Sequence, residues 1–418
     1  MAPTSSAAVS PEEMESGGSI AWILVTTSLV LLMVPGVAFF YGGMLRKQSM
    51  SATIVQCVIG SAIVSVIWFA VGYSLAFGCD GAIGDFSRIF FSGVVESASG
   101  GEISELEFAV YQMEFAAVTA CVVLGACAER LRFPAVCLFL ALWGVVVYAP
   151  MAHWVWGGGF ESIFGDWFHA LDFAGGTVVH ICAGITGVAV ALFLGPRKDT
   201  VRKARPHSIP FMFLGAGLLL FGWMGFNGGS GAQADGVAVR AVATTCVAWV
   251  SATVTWAIIQ YAMSGKVNAM GLCAGVVAGL VAITPCAGYV SPAAAFVIGI
   301  GGAVVCFFAV RFFHSLKRLD DALDVFAVHG CGGIFGALIL GFLADPAYVE
   351  AGYEGILFGG TSLILGQVIA VLVTLVYCFA VSYAIIWLMS KVMRVGVTED
   401  EENIGQDIVE HGEPAYYI

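Results

Sequence analysis

The stretch "VVHICAGITG", Val178 to Gly187, returns as "AVHGCGGIFG", Ala327 to Gly336. Both contain V-H-x-C-x-G-I-x-G, at Val179 to Gly187 and again at Val328 to Gly336. Each copy sets one histidine in an apolar run with no charged residue beside it. The composition says what kind of run this is. Of 418 residues, 59% are hydrophobic and 11% charged, whereas a soluble domain carries about 25% charged residues. Apolar runs of about 18 residues or more recur along the whole length, the mark of helices that cross a bilayer. The chain therefore reads as an all-α integral membrane protein. Its 53 glycines suit helices that approach closely in lipid.

Eleven transmembrane helices are expected, near 19–43, 50–77, 107–129, 133–150, 171–195, 209–228, 236–262, 268–285, 290–313, 326–343 and 357–390. They leave an N-terminal tail over 1–18, a membrane domain over 19–395 and a C-terminal tail over 396–418. With the N-terminus outside and the C-terminus in the cytoplasm, Arg88 and Arg240 are the only two of the 17 Lys and Arg on the outer side. Basic loops stay cytoplasmic, so the odd helix number and the orientation support each other, in a multi-pass protein of the cell membrane. The net charge of −12 gathers in the tail, which has seven acids and no base after Arg394, and near Glu12, Glu13 and Glu15. No basic patch exists for nucleic acid. Residues 1–18 lack the basic start of a cleavable signal. The 12 cysteines lie mostly inside spans as buried thiols. Cys79 and Cys286 fall near outer loops, which allows a disulfide between them but does not indicate one.

The histidine motifs fall in the fifth and tenth spans. An earlier pair echoes them: "FFYGG" (Phe39 to Gly43) closes the first span and "GFNGG" (Gly225 to Gly229) the sixth. Two units of five follow, about 19–195 and 209–343, with an eleventh helix near 357–395. Five is odd, so the second unit crosses in the opposite sense. An inverted repeat of this kind puts a transport site near the midplane where the halves meet, and His180 and His329 would meet there.

Ionisable residues inside a membrane are costly and face the protein interior or a cavity. Here they are few: Glu114, Asp172, His180, Asp324 and His329. A single such histidine is as easily an interhelical hydrogen bond as a functional group; two in matched motifs favour function. Two neutral imidazoles can bond through Nδ1 and leave both Nε2 atoms on a lumen, one a donor and one an acceptor. That lining suits a small neutral polar molecule and not a hydrated cation. Two histidines without a third ligand make a poor zinc site, and no metal or cofactor is expected.

These stretches together resemble the ammonium transporters of the Amt/Mep/Rh superfamily, on the Amt/Mep branch. The resemblance covers roughly residues 19–418. It rests on "PGVAFFYGGMLRKQS" (Pro35 to Ser49), "GACAERLRF" (Gly125 to Phe133), "HWVWGGG" (His153 to Gly159), "DFAGGTVVHICAG" (Asp172 to Gly184), "FGWMGFNGGS" (Phe221 to Ser230) and "DVFAVHGCGGIFGA" (Asp324 to Ala337). It implies that Trp156 stands at the outer mouth and holds ammonium by cation–π attraction, with Phe115 beside it and Ser230 accepting a hydrogen bond from the ion. Phe115 and Phe226 would stack as a gate. His180 and His329 would line the pore, and Asp172 would support the recruitment site without touching the ion. Read without the resemblance, Asp172 is an N-cap, Phe115 is core and Trp156 belongs to an interfacial aromatic belt. Glu114 departs from the family, which often has a small or apolar residue there. It is expected at a trimer interface or in the outer vestibule. The resemblance further implies a homotrimer and a tail that docks on basic inner loops such as "RKDTVRKAR" (Arg197 to Arg205). In bacterial relatives a PII-type cytoplasmic regulator binds that face. Val409 stands where plant members carry a phosphorylatable threonine.

Ammonium lies roughly two pKa units above neutrality, so removing its proton costs about 3 kcal/mol. Taking the bare cation into an apolar tube costs on the order of 20 kcal/mol in the idealised limit and several after relaxation. The expected function is therefore ammonium recruitment, deprotonation and passage of ammonia, with methylammonium as an analogue and a proton transferred alongside. An ammonium sensor of the same fold, signalling to a separate partner, is the alternative. With so few residues after Arg394, a built-in kinase or cyclase is not expected. A third class, an intramembrane serine protease at "GGSG" (Gly228 to Gly231), needs one base and leaves the paired histidines unexplained. The chain is not expected to be an enzyme.

Overall fold

The computed structural model describes residues 11–79, 81–96, 103–157, 170–316 and 318–417, with side chains from residue 17 onward. Most of the expected 1–18 tail, Gly158 and Gly159 of the tryptophan motif, and Lys317 lie outside the described residues. Among the described residues, ten helices have the length and apolar composition to cross a membrane: α1 (Gly17–Met44), α2 (Lys47–Phe77), α3 (Glu105–Ala126), α4 (Phe133–Trp156), α5 (Gly176–Leu194), α6 (Ile209–Gly228), α7 (Gly236–Ser264), α9 (Pro292–Ser315), α10 (Phe326–Leu343) and α11 (Ser362–Met389). An eleventh apolar helix, α8 (Ala269–Ile283), is shorter. At about 1.5 Å per residue its 15 residues fall short of a ~30 Å hydrocarbon core. Its middle is buried among the other helices, so protein shields it.

Local chemistry sets the helix ends. Ser104 caps α3 in a reciprocal box with Glu107. Ser208, Asp235, Asn268 and Ser291 cap α6 to α9 with their side-chain oxygens. Each satisfies backbone N–H groups that lipid cannot. Some expected boundaries move. The fourth span runs on to Trp156. The eleventh begins at Ser362, because Ile356–Phe358 is a 3-10 turn closed by Gly359 at φ 92.

The repeated motif explains how α5 and α10 cross. A Cβ on Gly184 would lie 2.7 Å from the Gly330 backbone. On Gly333, its counterpart, a Cβ would lie 2.9 Å from the Gly176 carbonyl and 3.1 Å from the His180 Cβ. Each half thus lends a bare backbone to the other at the point where the histidines meet, the small-residue packing that membrane helices rely on.

On the face that carries the C-terminal tail, a buried ionic network ties the loops together. Glu129 accepts from Arg46 (2.8 Å), Ser49 (2.9 Å) and Arg197 (3.0 Å). Arg197 also grips Asp320 through Nε and Nη2 at 2.8 and 3.0 Å. The tail folds as α12 (Glu399–Ile404) and α13 (Gln406–His411). Asp407 accepts from the Ala52 N–H at 2.8 Å, at the start of α2. Glu410 pairs with Arg132 at 3.1 Å, and Glu402 accepts from the Lys198 N–H at 2.8 Å. Within the expected "RKDTVRKAR" dock, Lys198 meets the tail, through its N–H on Glu402 and its Nζ 3.0 Å from Glu399. Arg202 turns to the His314 carbonyl and Lys203 to Asp199. Cys79 and Cys286 are both free thiols, and the Cys286 thiol donates to the Gly336 carbonyl at 3.2 Å.

Candidate functional site

The site is built around two helix starts. Asp172 Oδ1 accepts from the Gly175 and Gly176 N–H groups at 2.9 and 2.7 Å, and Oδ2 from the Thr177 N–H at 2.7 Å and from the Thr177 hydroxyl. Gly175 sits at φ 108, a backbone state that glycine reaches without strain. Helix α5 then opens as a π-helical turn, Gly176–Ile181, which carries His180. Asp321 does the same for α10: its oxygens accept from Val325 N–H at 2.9 Å and Phe326 N–H at 2.6 Å. The π turn Phe326–Gly330 that follows carries His329. Such turns widen a helix locally and recur at functional sites.

The histidines meet Nδ1 to Nδ1 at 3.2 Å, with ring centroids 5.2 Å apart. One Nδ1 must donate and the other accept. Neutral rings are then opposite tautomers, so one Nε2 is an acceptor and the other a donor. His180 Nε2 is buried with no partner. Its ring lies nearly parallel to Trp223 (5.4 Å) and Phe226 (6.0 Å). Trp223 is fixed in turn by its Nε1 donating to Thr284 Oγ1 at 2.9 Å. Around both imidazoles runs a lumen of about 10 Å³, walled by residues such as Val37, Val118, Val122, Leu219 and Val277. That is close to the smallest space that admits one water-sized molecule.

Above the histidines, Phe226 stacks on Phe115 at 4.1 Å and 22°. Phe115 meets Trp156 edge to face at 6.0 Å and 87°. Trp156 Nε1 donates to the Asp172 carbonyl at 3.0 Å, so Asp172 holds both the α5 start and the indole. Ser230 Oγ donates to the Phe226 carbonyl at 2.8 Å, which leaves its oxygen lone pairs to accept. Below the histidines, His329 also lines a cavity of about 440 Å³ towards the tail side.

Trp156, Phe115, Phe226, His180 and His329 thus form one continuous series of ring contacts, with Asp172 hydrogen-bonded to Trp156 and Ser230 to Phe226. Glu114, beside Phe115, is buried within the chain. Sequence reasoning missed Tyr111, whose ring packs 5.0 Å from Phe115 and whose hydroxyl donates to the Gly225 and Phe226 carbonyls at 2.9 and 3.0 Å. Its spacing of four residues from Phe115 puts both on one helix face. Asp321 was overlooked in favour of Asp324, although its offset to His329 equals that of Asp172 to His180. Among the described residues no cluster of three or more His, Cys, Asp or Glu is arranged to hold a metal.

A narrow apolar lumen with two imidazoles, an aromatic double layer above and an open vestibule below define a membrane channel or transporter for a small polar solute. The sequence profile of the Ammonium Transporter Family matches residues 21–416, and the chain belongs to that family. It is 43% identical over 404 residues to ammonium transporter Amt1 of Archaeoglobus fulgidus, covering 96% of this chain and 100% of the relative. It is 41% identical over 407 residues to an ammonium transporter of Bacillus subtilis, covering 96% and 98%. Among solved structures it is similar to Saccharomyces cerevisiae Mep2 (TM-score 0.84, 34% identity, 92% of this chain and 88% of that one). It is also similar to a protein described as a sensor Amt protein (TM-score 0.88, 28% identity, 96% and 100%). The chain is a multi-pass membrane transporter of ammonium and not an enzyme.

Proposed function

We propose that ammonium is held at the mouth by Trp156, Phe115 and Ser230, gives up its proton, and passes as ammonia between Phe115 and Phe226 and along His180 and His329. The carrying observation is the histidine pair, bonded Nδ1 to Nδ1 in an apolar lumen of about 10 Å³. Such a lumen cannot hydrate a cation, and desolvating one costs several kcal/mol even after relaxation. Deprotonation at about 3 kcal/mol is the lower barrier. Phe115 and Phe226 are in contact, so each passage requires a ring to swing aside. Asp172 acts through Trp156 and the α5 start, and the proton moves separately, relayed by the imidazoles.

The chain sits in the cell membrane with its N-terminus outside and its C-terminus in the cytoplasm, as the Lys and Arg distribution supports. It works as a homotrimer with one pore per subunit. The docked acidic tail reports to the inner loops, and a PII-type regulator is the partner for that face. Reconstituted chain in proteoliposomes should carry ammonium down its gradient, with labelled methylammonium uptake competed by ammonium. A folded, reconstituted chain without flux would instead mark a sensor.

A further inference from the structure

We propose that His314 and Asp324 form a proton-return and cation-release site at the wide end of the inner cavity, where ammonia leaving the pore becomes ammonium. The inference rests on the reading that ammonia, and not ammonium, passes the histidines.

The cavity of about 440 Å³ has His329 in its lining at the pore end, and His314, Asp324 and Arg311 in the same lining. Much of its remaining wall is apolar, including Phe40, Met44, Trp256 and Phe307. His314 Nε2 lies 2.7 Å from Asp324 Oδ1. The contact is an ion pair when the imidazole is protonated, and among the described residues no other group hydrogen-bonds to that buried oxygen. The carboxylate is tucked in at 19% side-chain exposure, whereas the imidazole, at 63%, reaches water. Asp324 adopts φ 59, the left-handed region that aspartate and asparagine enter more readily than most residues. Other charges face the pair. Asp321 lies on the same loop, Arg311 is on the His314 helix, and Arg202 donates to the His314 carbonyl at 3.2 Å.

The chemistry balances without a co-reactant. An N–H bond of the His314 imidazolium breaks, and its electron pair stays on the ring nitrogen. The ammonia lone pair takes the proton and forms the fourth N–H bond. Asp324 then faces ammonium in place of imidazolium, so the net charge of the three groups is the same before and after. An apolar cavity therefore gains no charge in the step. The new cation cannot re-enter the lumen at His180 and His329, and it leaves to the open side. His314 regains its proton from water at its exposed edge, and the hydroxide left there is neutralised by the proton that the pore imidazoles relay.

The test uses sided proteoliposomes of the full chain, with the lumen in contact with the tail face and its pH set between about 6 and 8. His314→Gln should lower maximal ammonium flux roughly tenfold at the alkaline end, less than an enforced general acid because water competes as donor. Half-saturation should stay unchanged, and imidazole added to the lumen should restore the flux. Asp324→Asn keeps a residue that tolerates the left-handed backbone; it should lower flux without rescue by imidazole. Wild-type flux in His314→Gln across that pH range, or a loss that luminal imidazole does not restore, overturns the site. His180→Ala and His329→Ala in the same preparation keep the two readings apart. If those variants retain wild-type flux and selectivity, the ammonia reading fails; if they change and His314→Gln does not, only the release site fails.

Discussion

Asp172 and Asp321 each stand eight residues ahead of a pore histidine, and each closes on the backbone N–H groups that open the helix carrying it. One lies on the Trp156 side of the histidine pair and the other on the tail side. The pair extends the repeat beyond the histidine motif to the groups that aim it. An N-cap of this kind is worth about 0.5–2 kcal/mol. At about pH 4, where the burial of its charge does not yet count against the fold, Asp321→Ala should lower stability by about that amount and loosen His329, while Asp321→Asn, which keeps one acceptor, should fall between. Thermal unfolding in detergent checks this, and an unchanged midpoint in Asp321→Ala contradicts it.

The helix crossing gives a second prediction. Gly184→Val puts a branched side chain where a Cβ alone would meet the Gly330 backbone at 2.7 Å. Backbone cannot yield as a flexible side chain does, so overpacking of about 1–3 kcal/mol is expected. The variant should assemble poorly and melt earlier. Gly217→Val, at a position with open space around it, is the control and should behave as wild type.

Asp320 and Asp321 are neighbours that titrate in opposite directions. Burial would raise Asp320, but the hydrogen bonds and charge of Arg197, with Arg130, hold it down at about 2. Its stabilisation is present above the ordinary carboxylate pKa and is lost as pH falls from about 4 towards 2. Burial, followed by the charge of Asp324, pushes Asp321 up to about 7. The unfolded chain releases that proton first, so stability falls as pH rises from about 4 to 7. Melting curves against pH should show both limbs. Asp321→Asn should flatten the neutral limb and Asp320→Asn the acid one; limbs unaffected by either substitution would refute the assignment.

At the mouth, Trp156→Leu removes an aromatic face worth about 0.5–2 kcal/mol to a cation, a two- to thirty-fold rise in half-saturation where binding equilibrates first. Concentration-dependent uptake measures it. An unaltered half-saturation would locate recruitment elsewhere.

Much of this was legible in the sequence because the chain repeats itself in an apolar background. The matched motifs placed His180 and His329 together, and the glycines they share proved to be the crossing contacts. The resemblance supplied Phe115, Trp156 and Ser230, which composition alone would leave as core and belt. What stayed hidden was tertiary. Tyr111 and Trp223 look like any other aromatic among so many, and only their contacts single them out. The π-helical starts of α5 and α10 leave no mark in hydropathy, which is equally apolar for α and π turns. The tail had visible acids, yet its anchors Arg46, Arg132 and the Ala52 N–H come from segments far away in sequence.

The most direct test of the central claim is the ratio of ammonium to potassium current through His180→Ala and His329→Ala, in reconstituted protein shown to be assembled. If the imidazoles line a lumen that only ammonia traverses, each substitution should abolish transport or collapse the discrimination between the two cations. Wild-type current with wild-type selectivity in both variants would contradict the account.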